Sequence, residues 1–220
     1  MAFRFPVALE VAGRRCVVVG GGAEAEHRTR ALLDCDADVT VLAITPVPAL
    51  VDLDQRGQVV LVRRPYRPGD LAGAFLVVAT DPASTPSVYA EAERGGVLCH
   101  AVDDPVHCHF AMPSVLRRGE LTVAISTGGR APALAKRLRH RLEEEVPSEY
   151  GALVDLLAEA RSQALADRPP DFATWARRWQ SALADLDHLL ALLAQGRRDE
   201  ARQRVLVSLA AEQPGLRRPT

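Results

Sequence analysis

Apolar and polar positions follow two different patterns along this chain. Between residues 14 and 102, short runs rich in valine, leucine and isoleucine recur, and stretches of helical period separate them. Runs that are apolar throughout are typical of parallel strands buried on both faces of a sheet. The predicted strands are RRCVVVG, DVTVLAI, VVLVRR, AFLVVAT and VLCHAV, and the predicted helices between them are AEAEHRTRALLDC and SVYAEAERGG.

The pattern changes beyond residue 113. One strand-like run, ELTVAIST, precedes a glycine turn and the helical stretch APALAKRLRHRLEEEV, which Pro147 ends. The rest is helical in spacing, with a break at DRPPD and a long helix predicted over 172–196, ended by Gly196. We therefore predict an α/β fold. A Rossmann-like parallel-sheet domain spans 1–113, a small segment spans 114–147, and an all-helical C-terminal domain spans 148–215.

Composition narrows the possible partners. The 220 residues include 27 basic and 28 acidic side chains, so the basic excess of a nucleic-acid-binding protein is missing. No window of about 18 apolar residues predicts a membrane span, and the N-terminus does not read as a signal peptide. Four cysteines in a chain of this length do not predict a disulfide framework. We expect a cytoplasmic protein in a reducing compartment.

A glycine-rich turn follows the first predicted strand. VVVGGGAEAEHR places Gly20, Gly22 and Ala25 in the spacing G-x-G-x-x-A at the start of a helix. Glycines let a backbone approach a pyrophosphate, and the free amides of a helix N-terminus bind its charge. We expect a dinucleotide here, with a tight turn that binds nothing as the alternative. No acid ends the second strand to hold the ribose hydroxyls, so Thr45 or backbone groups would do so.

A second polar turn, ATD, closes a later predicted strand. Thr80 and Asp81 would lie at the carboxyl edge of the sheet, where doubly wound folds bind ligands. Asp81 can instead cap the helix that follows. The candidate cofactor contacts in these turns are Gly20, Gly21, Gly22, Ala23, Glu24, Ile44, Thr45, Thr80 and Asp81.

In order along the chain, these motifs resemble those of a known family. The segments FPVALEVAGRRCVVVGGG, ATDP, HAVDDP and CHFAMPSVLRRGELTVAISTGGRAP resemble the precorrin-2 dehydrogenase / sirohydrochlorin ferrochelatase family, which includes the N-terminal module of sirohaem synthase. The likeness is detailed over residues 5 to 150. It implies that NAD⁺ takes a hydride from the tetrapyrrole precorrin-2 to give sirohydrochlorin, in sirohaem or cobalamin biosynthesis. In bifunctional members the same cleft then receives Fe²⁺ or Co²⁺.

The resemblance implies one catalytic carboxylate. The family places its key aspartate in the stretch N-V-V-D, which His100–Ala101–Val102–Asp103 matches here. Asp103, rather than Asp104, is therefore the candidate. Its position agrees, because it follows a predicted strand at the carboxyl edge, where a carboxylate can act as a general base. The alternative is that both aspartates only form the turn before Pro105.

A second glycine loop is the candidate substrate site. Its glycines and hydroxyls precede a helix and can bind an anion, and it matches the family segment S-S-G-G-x-S-P. The acetate and propionate groups of a tetrapyrrole are the anions that the resemblance implies. The resemblance also implies that residues 114–147 build a homodimer. The candidate substrate contacts are Ser126, Thr127, Gly128, Gly129 and Arg130.

Histidines and cysteines crowd the segment CHAVDDPVHCHF. Imidazole and thiolate bind divalent transition metals, but the run lacks the spacing of a closed zinc site. His100 and His109 are candidates for a transient site that delivers the metal, and ordinary loop residues are the alternative. Two other functions stay open: a dehydrogenase without chelatase activity, and a non-enzymatic Rossmann module that senses NAD.

Overall fold

The computed structural model describes residues 5–165 and 171–210. The chain divides into two compact units, and the first comprises residues 5–112 together with Ser126–Ala131. The second comprises residues 113–125 and 132–210. The predicted break at 167–171 and the end of the predicted helical domain at 215 fall largely outside the described residues. Across the part of the chain that is described, no helix is long and apolar enough to cross a membrane.

The first unit contains five parallel strands in the order β3-β2-β1-β4-β5. This order places the first strand beside both the second and the fourth, so the chain reverses its direction of winding at β1. The strands are β1 (Arg15–Val19), β2 (Asp38–Leu42), β3 (Val60–Val62), β4 (Leu76–Ala79) and β5 (Leu98–Ala101). The helices are α1 (Ala23–Leu33), α2 (Pro48–Gln55) and α3 (Thr85–Gly95).

Both faces of this sheet are covered. On one face, Cys16 and Val18 of β1 pack in a cluster with Ala25 of α1 and Leu50 of α2. On the other face, the alternate residues of β1 pack with Val88 of α3. All of these side chains are fully buried, which explains why the strand segments are apolar at every position. The predicted Rossmann-like parallel sheet is confirmed.

The second unit opens with a β-hairpin. The strands β6 (Ser114–Arg118) and β7 (Leu121–Ile125) pair antiparallel around a turn at Gly119, whose φ is 55°. Five helices follow among the described residues, and their common core is built from α5, α6, α7 and α8. They are α4 (Pro132–Glu145), α5 (Glu149–Ala164), α6 (Phe172–Ala182), α7 (Leu186–Ala194) and α8 (Arg198–Ala210).

Three elements differ from the sequence-based prediction. The helix α2 and the strand β6 were not predicted, and the single helix expected over 172–196 is two helices. The interruption lies at Leu183–Asp185, where Asp185 leaves the helical region and becomes the N-cap of α7. The Asp185 side chain forms no cap hydrogen bond, but aspartate has a low propensity for helix interiors. Gly196, with φ of 72°, follows α7 as predicted.

Candidate active site

The glycine turn after β1 joins the ends of three strands. Gly20 donates its amide to Leu42 O at the end of β2 (2.9 Å), and it has a φ of 129° that only glycine adopts without strain. A Cβ atom built on Gly20 would overlap Thr80 Oγ1, which follows β4. A Cβ atom on Gly21 would lie 2.7 Å from Thr45 O. Two glycines are therefore needed for the turn itself.

Gly22 is different, because a Cβ atom built there would meet nothing within 4 Å. It is the N-cap of α1, and no side chain caps this helix end. Ala23 and Glu24 then begin the helix, and Glu24 forms an ion pair with Arg28 at 2.5 Å. An open, uncapped helix N-terminus beside a glycine fits the pyrophosphate of a dinucleotide. The residues present therefore fit the group that the turn predicts.

The carboxyl end of β2 carries an exposed apolar side chain. Ile44 is 69% exposed, next to the exposed Thr45. Both follow the strand that borders the glycine turn, and Thr45 contributes the carbonyl that makes Gly21 necessary. Ligands of parallel sheets bind at the carboxyl ends of the strands, so an exposed isoleucine there is suited to contact the ring face of a dinucleotide's adenine.

Thr80 and Asp81 both have structural partners. The Thr80 amide donates to Val19 O at 2.8 Å and its hydroxyl to the same oxygen at 3.2 Å. Asp81 Oδ1 accepts from the Ala83 amide at 3.2 Å, and Asp81 O accepts from the Thr85 hydroxyl at 3.0 Å. Asp81 thus stabilises the turn before α3, but the N-cap of that helix is Ser84 and no side chain caps it, so the capping alternative for Asp81 is wrong. Their role toward a cofactor stays a prediction.

Asp103 lies at the same edge of the sheet as these turns. The Val102 amide donates to Ala79 O at 2.9 Å, so the backbone that leads to Asp103 is tied to the residue before Thr80. Asp103 is exposed and has a φ of 59°, a left-handed conformation that is uncommon for residues other than glycine. The structure thus places the predicted catalytic carboxylate beside the predicted cofactor turns.

Asp104 has a different environment. Its Oδ2 lies 2.6 Å from His107 Nδ1, across a 3₁₀ turn at Pro105–His107. Hydrogen bonding to this imidazole lowers the pKa of Asp104. Asp104 is therefore engaged in the turn while Asp103 is exposed, and the choice of Asp103 as the reacting group stays a prediction.

The remaining histidines and cysteines of this segment contact its backbone. Cys108 Sγ accepts from the Ala101 amide at 3.1 Å, and His100 Nδ1 lies 3.2 Å from Phe110 O. Burial raises the pKa of the Cys99 thiol to about 12, which keeps it protonated at neutral pH. Over the described part of the chain, no three His, Cys, Asp or Glu side chains are grouped to hold a metal ion.

His109 has a partner on each ring nitrogen. Its Nδ1 accepts from the Cys99 amide at 3.0 Å, and its Nε2 is hydrogen-bonded to Glu93 of α3. Tyr89 of α3 also contacts this ring, with centroids 5.1 Å apart, and donates its hydroxyl to Glu93 at 3.2 Å. Tyr89 and Glu93 belong to none of the motifs in the sequence. The signal was their four-residue spacing, which places them on one helix face.

The second glycine loop belongs to the same compact unit as the parallel sheet. Ser126 Oγ accepts from the Gly128 amide at 3.2 Å, and Thr127 Oγ1 accepts from the Ala131 amide at 3.1 Å. Gly128 and Gly129 have φ values of 64° and 81°, with nothing within 4 Å of a Cβ atom built on either. The hydroxyls thus fix the loop's shape and still have a proton to donate.

Comparison with known families matches two parts of this chain. Residues 7–114 match a family described as NAD(P)-binding. Residues 118–145 match a family described as sirohaem biosynthesis protein, central. The first match covers the parallel sheet and the turns at its carboxyl edge. The second begins at the last residue of β6 and covers the hairpin turn, β7 and α4.

Curated relatives are similar over most of this chain. It is 34% identical to the siroheme synthase of Methylococcus capsulatus over 219 residues, which is 97% of this chain and 45% of the relative. It is 35% identical to siroheme synthase 1 of Aeromonas salmonicida over 96% of this chain and 45% of the relative. It is 38% identical to siroheme synthase 2 of Yersinia enterocolitica over 72% of this chain and 34% of the relative. The chain therefore spans less than half the length of these relatives.

A solved structure has the same fold. It is that of SirC, precorrin-2 dehydrogenase, and it superposes with a TM-score of 0.70 over 91% of this chain and 100% of the other. The sequence identity is 24%, so this likeness supports the architecture.

Proposed function

Since this chain belongs to the precorrin-2 dehydrogenase / sirohydrochlorin ferrochelatase family, we propose that it oxidises precorrin-2 to sirohydrochlorin with NAD⁺. One observation carries the proposal. The uncapped glycine turn at Gly22 and the exposed carboxylate of Asp103 lie at one edge of a parallel sheet whose winding reverses at β1. Doubly wound sheets bind their ligands at this place.

The cofactor would lie along the carboxyl edge of β1, β2 and β4. The amides at the start of α1, beside Gly22 and Ala23, would bind its pyrophosphate. The exposed Ile44 and Thr45 would contact the adenosine, and no acidic side chain there selects between NAD and NADP. When bound, the cofactor would supply a nicotinamide ring as the acceptor of the hydride that leaves the reduced tetrapyrrole.

Loss of a hydride leaves one proton to be removed from the same substrate, because two hydrogens separate precorrin-2 from sirohydrochlorin. Asp103 would accept this proton as a general base. Its exposed position after β5, the strand that pairs with β4, supports this role, and Asp104 is engaged with His107. Binding of a large ring over the edge would exclude water from Asp103.

The tetrapyrrole carries several acetate and propionate groups, which need cationic and hydrogen-bonding partners. We assign this task to the loop Ser126–Ala131, since it belongs to the same compact unit as Asp103. Arg130 can bind a carboxylate through two N–H groups, and the open backbone at Gly128 and Gly129 admits a close approach.

Insertion of Fe²⁺ or Co²⁺ into sirohydrochlorin is the second step that we propose. Asp103 would accept the two pyrrole protons that the metal displaces, one after the other, and pass each to water, and His100 and His109 would deliver the ion. A metal that binds His109 has to displace either the Cys99 amide or Glu93 from its ring. In the double variant His100→Ala/His109→Ala, we expect metal insertion to fall more than precorrin-2 oxidation. If metal insertion and precorrin-2 oxidation fell equally, the two histidines would have no role in metal delivery.

The assembly and the location are also proposals. We infer a homodimer in which residues 114–147 form the contact, because the hairpin β6–β7 presents an exposed Val115 and half-buried neighbours. We infer a cytoplasmic location because all four cysteines are free thiols, as in a reducing compartment.

Anaerobic turnover tests the proposed function. Purified protein is mixed with precorrin-2 and NAD⁺, and absorbance follows NADH and sirohydrochlorin; Fe²⁺ or Co²⁺ is added after the oxidation is complete. We expect equal amounts of NADH and sirohydrochlorin, then loss of the sirohydrochlorin spectrum faster than without enzyme. Oxidation without accelerated metal insertion would leave a dehydrogenase alone. Binding of NAD⁺ with no oxidation would favour an NAD-sensing module instead.

A further inference from the structure

The strand β5 is an edge of the parallel sheet, and its outward amides are satisfied by side chains. The Cys99 amide donates to His109 Nδ1 at 3.0 Å, and the Ala101 amide donates to Cys108 Sγ at 3.1 Å. The His109 amide in turn donates to Cys99 O at 2.8 Å. The segment after β5 therefore folds back along the edge and takes the place of a sixth strand, which protects the edge.

These contacts determine the tautomer of His109. Because Nδ1 accepts a hydrogen bond from the Cys99 amide, the proton of the neutral ring is on Nε2. Nε2–H then donates to the carboxylate of Glu93. This bond and the one from the Tyr89 hydroxyl lower the pKa of Glu93, which keeps it ionised as an acceptor. His109 thus joins the backbone of β5 to the side of α3.

Tyr89 contacts a second histidine of the same segment. Its ring contacts the imidazole of His107 edge-on, with centroids 5.1 Å apart, and the imidazole of His109 at the same distance. The two histidines flank Cys108, so α3 holds the segment through neighbouring rings on both sides of this residue.

The segment closed by the Cys99–His109 contact contains Asp103. A left-handed backbone at an aspartate persists only when the surrounding structure holds it. We propose that His109 is a positioning residue, which as its Nε2–H tautomer clasps the segment between β5 and α3 and so holds Asp103 in the reactive place. This inference rests on the proposed function as far as Asp103 is the reacting group, whereas the clasp itself does not depend on it.

The clasp is tested first without any turnover. Long-range ¹⁵N–¹H NMR of the full chain gives the protonated nitrogen of each imidazole, and hydrogen exchange gives the protection of the Cys99 amide. We expect a proton on Nε2 of His109, and a Cys99 amide that loses at least tenfold of its protection in His109→Ala. A proton on Nδ1, or unchanged protection in the variant, would overturn the clasp whatever the protein catalyses.

Turnover then tests the positioning role. Since a displacement of about 1 Å can lower a rate a hundredfold, we expect His109→Ala to lower kcat by about ten- to a hundredfold while KM for NAD⁺ stays within twofold. His109→Asn can still accept from the Cys99 amide, so it should recover part of the loss. His27→Ala is the matched control, because His27 is exposed on α1 and belongs neither to the clasp nor to the candidate contacts.

The outcomes separate the two claims. Unchanged kcat in His109→Ala, or an equal loss in His109→Ala and His109→Asn with normal Cys99 protection in the latter, would overturn the positioning role. If the wild-type protein oxidises no precorrin-2, the proposed function fails, while the NMR and exchange results still decide whether the clasp exists.

Discussion

Gly20 and Thr80 approach each other so closely that a Cβ atom on Gly20 would overlap Thr80 Oγ1. This contact joins the glycine turn after β1 to the end of β4, across the place where the winding of the sheet reverses. A Cβ atom built on Gly22, two residues later, meets no atom within 4 Å. The two glycines therefore have separable roles, one in the fold and one in ligand binding.

Gly20→Ala should destabilise the protein. The methyl group would overlap Thr80 Oγ1. Alanine would also have to adopt a φ of 129°, and such backbone strain costs about 1–3 kcal/mol. We expect a Tm lower by about 3–10 °C in thermal unfolding, since 1 kcal/mol corresponds to about 2–4 °C in a chain of this size. An unchanged Tm would mean that the turn is not built as described.

Gly22→Ala should show the opposite combination. Its backbone is extended, with φ of −84°, and a methyl group there meets no protein atom, so Tm should change by less than about 2 °C. The same methyl group would enter the space assigned to the pyrophosphate. We expect a Kd for NAD⁺, measured by calorimetry, at least tenfold higher than that of the wild type. Unaltered affinity would place the cofactor elsewhere.

Arg130→Gln should weaken binding of the tetrapyrrole and leave the cofactor unaffected. A charge-assisted hydrogen bond to a carboxylate contributes about 1.5–3 kcal/mol, so KM for precorrin-2 should rise about tenfold or more while Kd for NAD⁺ stays constant. Arg137→Gln, on an exposed position of α4, is the control that removes an equal charge. Equal effects of the two substitutions would indicate general electrostatic attraction instead of a specific contact.

Glu91 should make the stability of the first unit dependent on pH. Burial opposes its ionisation, but the Tyr66 hydroxyl and the amides of Gly69 and Leu71 outweigh burial and lower its pKa. A lowered pKa in the folded state stabilises above the unfolded value of about 4.3, and this contribution is lost as the pH falls through the folded value.

The measurement is Tm against pH for the wild type and Glu91→Gln. We expect the variant to unfold about 4–8 °C lower at pH 7, since hydrogen bonds to a charged acceptor contribute about 2 kcal/mol. The difference should shrink below about pH 4. Glu26→Gln, which loses an exposed ion pair with Arg30, should shift Tm by less than about 2 °C. A difference that does not depend on pH would contradict the role of the charge.

Gly151→Ala tests packing in the second unit. Alanine is about 1 kcal/mol better than glycine inside a helix, which favours the substitution in α5. However, a Cβ atom at Gly151 would lie 3.1 Å from Arg118 C and O and from the Gly119 amide of the hairpin turn. Backbone atoms cannot move aside easily, so we expect the steric overlap to outweigh the gain in helix propensity and Tm to fall by several degrees. Ala152→Gly, at an exposed position of the same helix, measures the effect of helix propensity on Tm without the overlap. A higher Tm in Gly151→Ala would show that the hairpin can move.

The sequence predicted those features that depend on local pattern. The glycine turn, the parallel strands and the exposed position of Asp103 after β5 follow from apolar runs and the residues that end them. Strand β6 was not predicted because two of its five residues are arginines, which interrupt the apolar run. The helix break at Asp185 was not predicted because the apolar residues around it keep helical spacing throughout. The contact of His109 with the Cys99 amide joins residues through the fold, so no spacing predicts it or the tautomer it imposes.

The comparison of Asp103→Asn with Asp104→Asn tests the central claim most directly. Asparagine tolerates the left-handed backbone of Asp103 and removes only the group that accepts the proton, so NAD⁺ binding and Tm should be preserved in Asp103→Asn. The measurement is anaerobic oxidation of precorrin-2 by NAD⁺ at saturating cofactor. We predict that Asp103→Asn lowers kcat by at least a hundredfold and Asp104→Asn by less than tenfold. Full activity in Asp103→Asn would contradict the account and make Asp103 a residue of the turn.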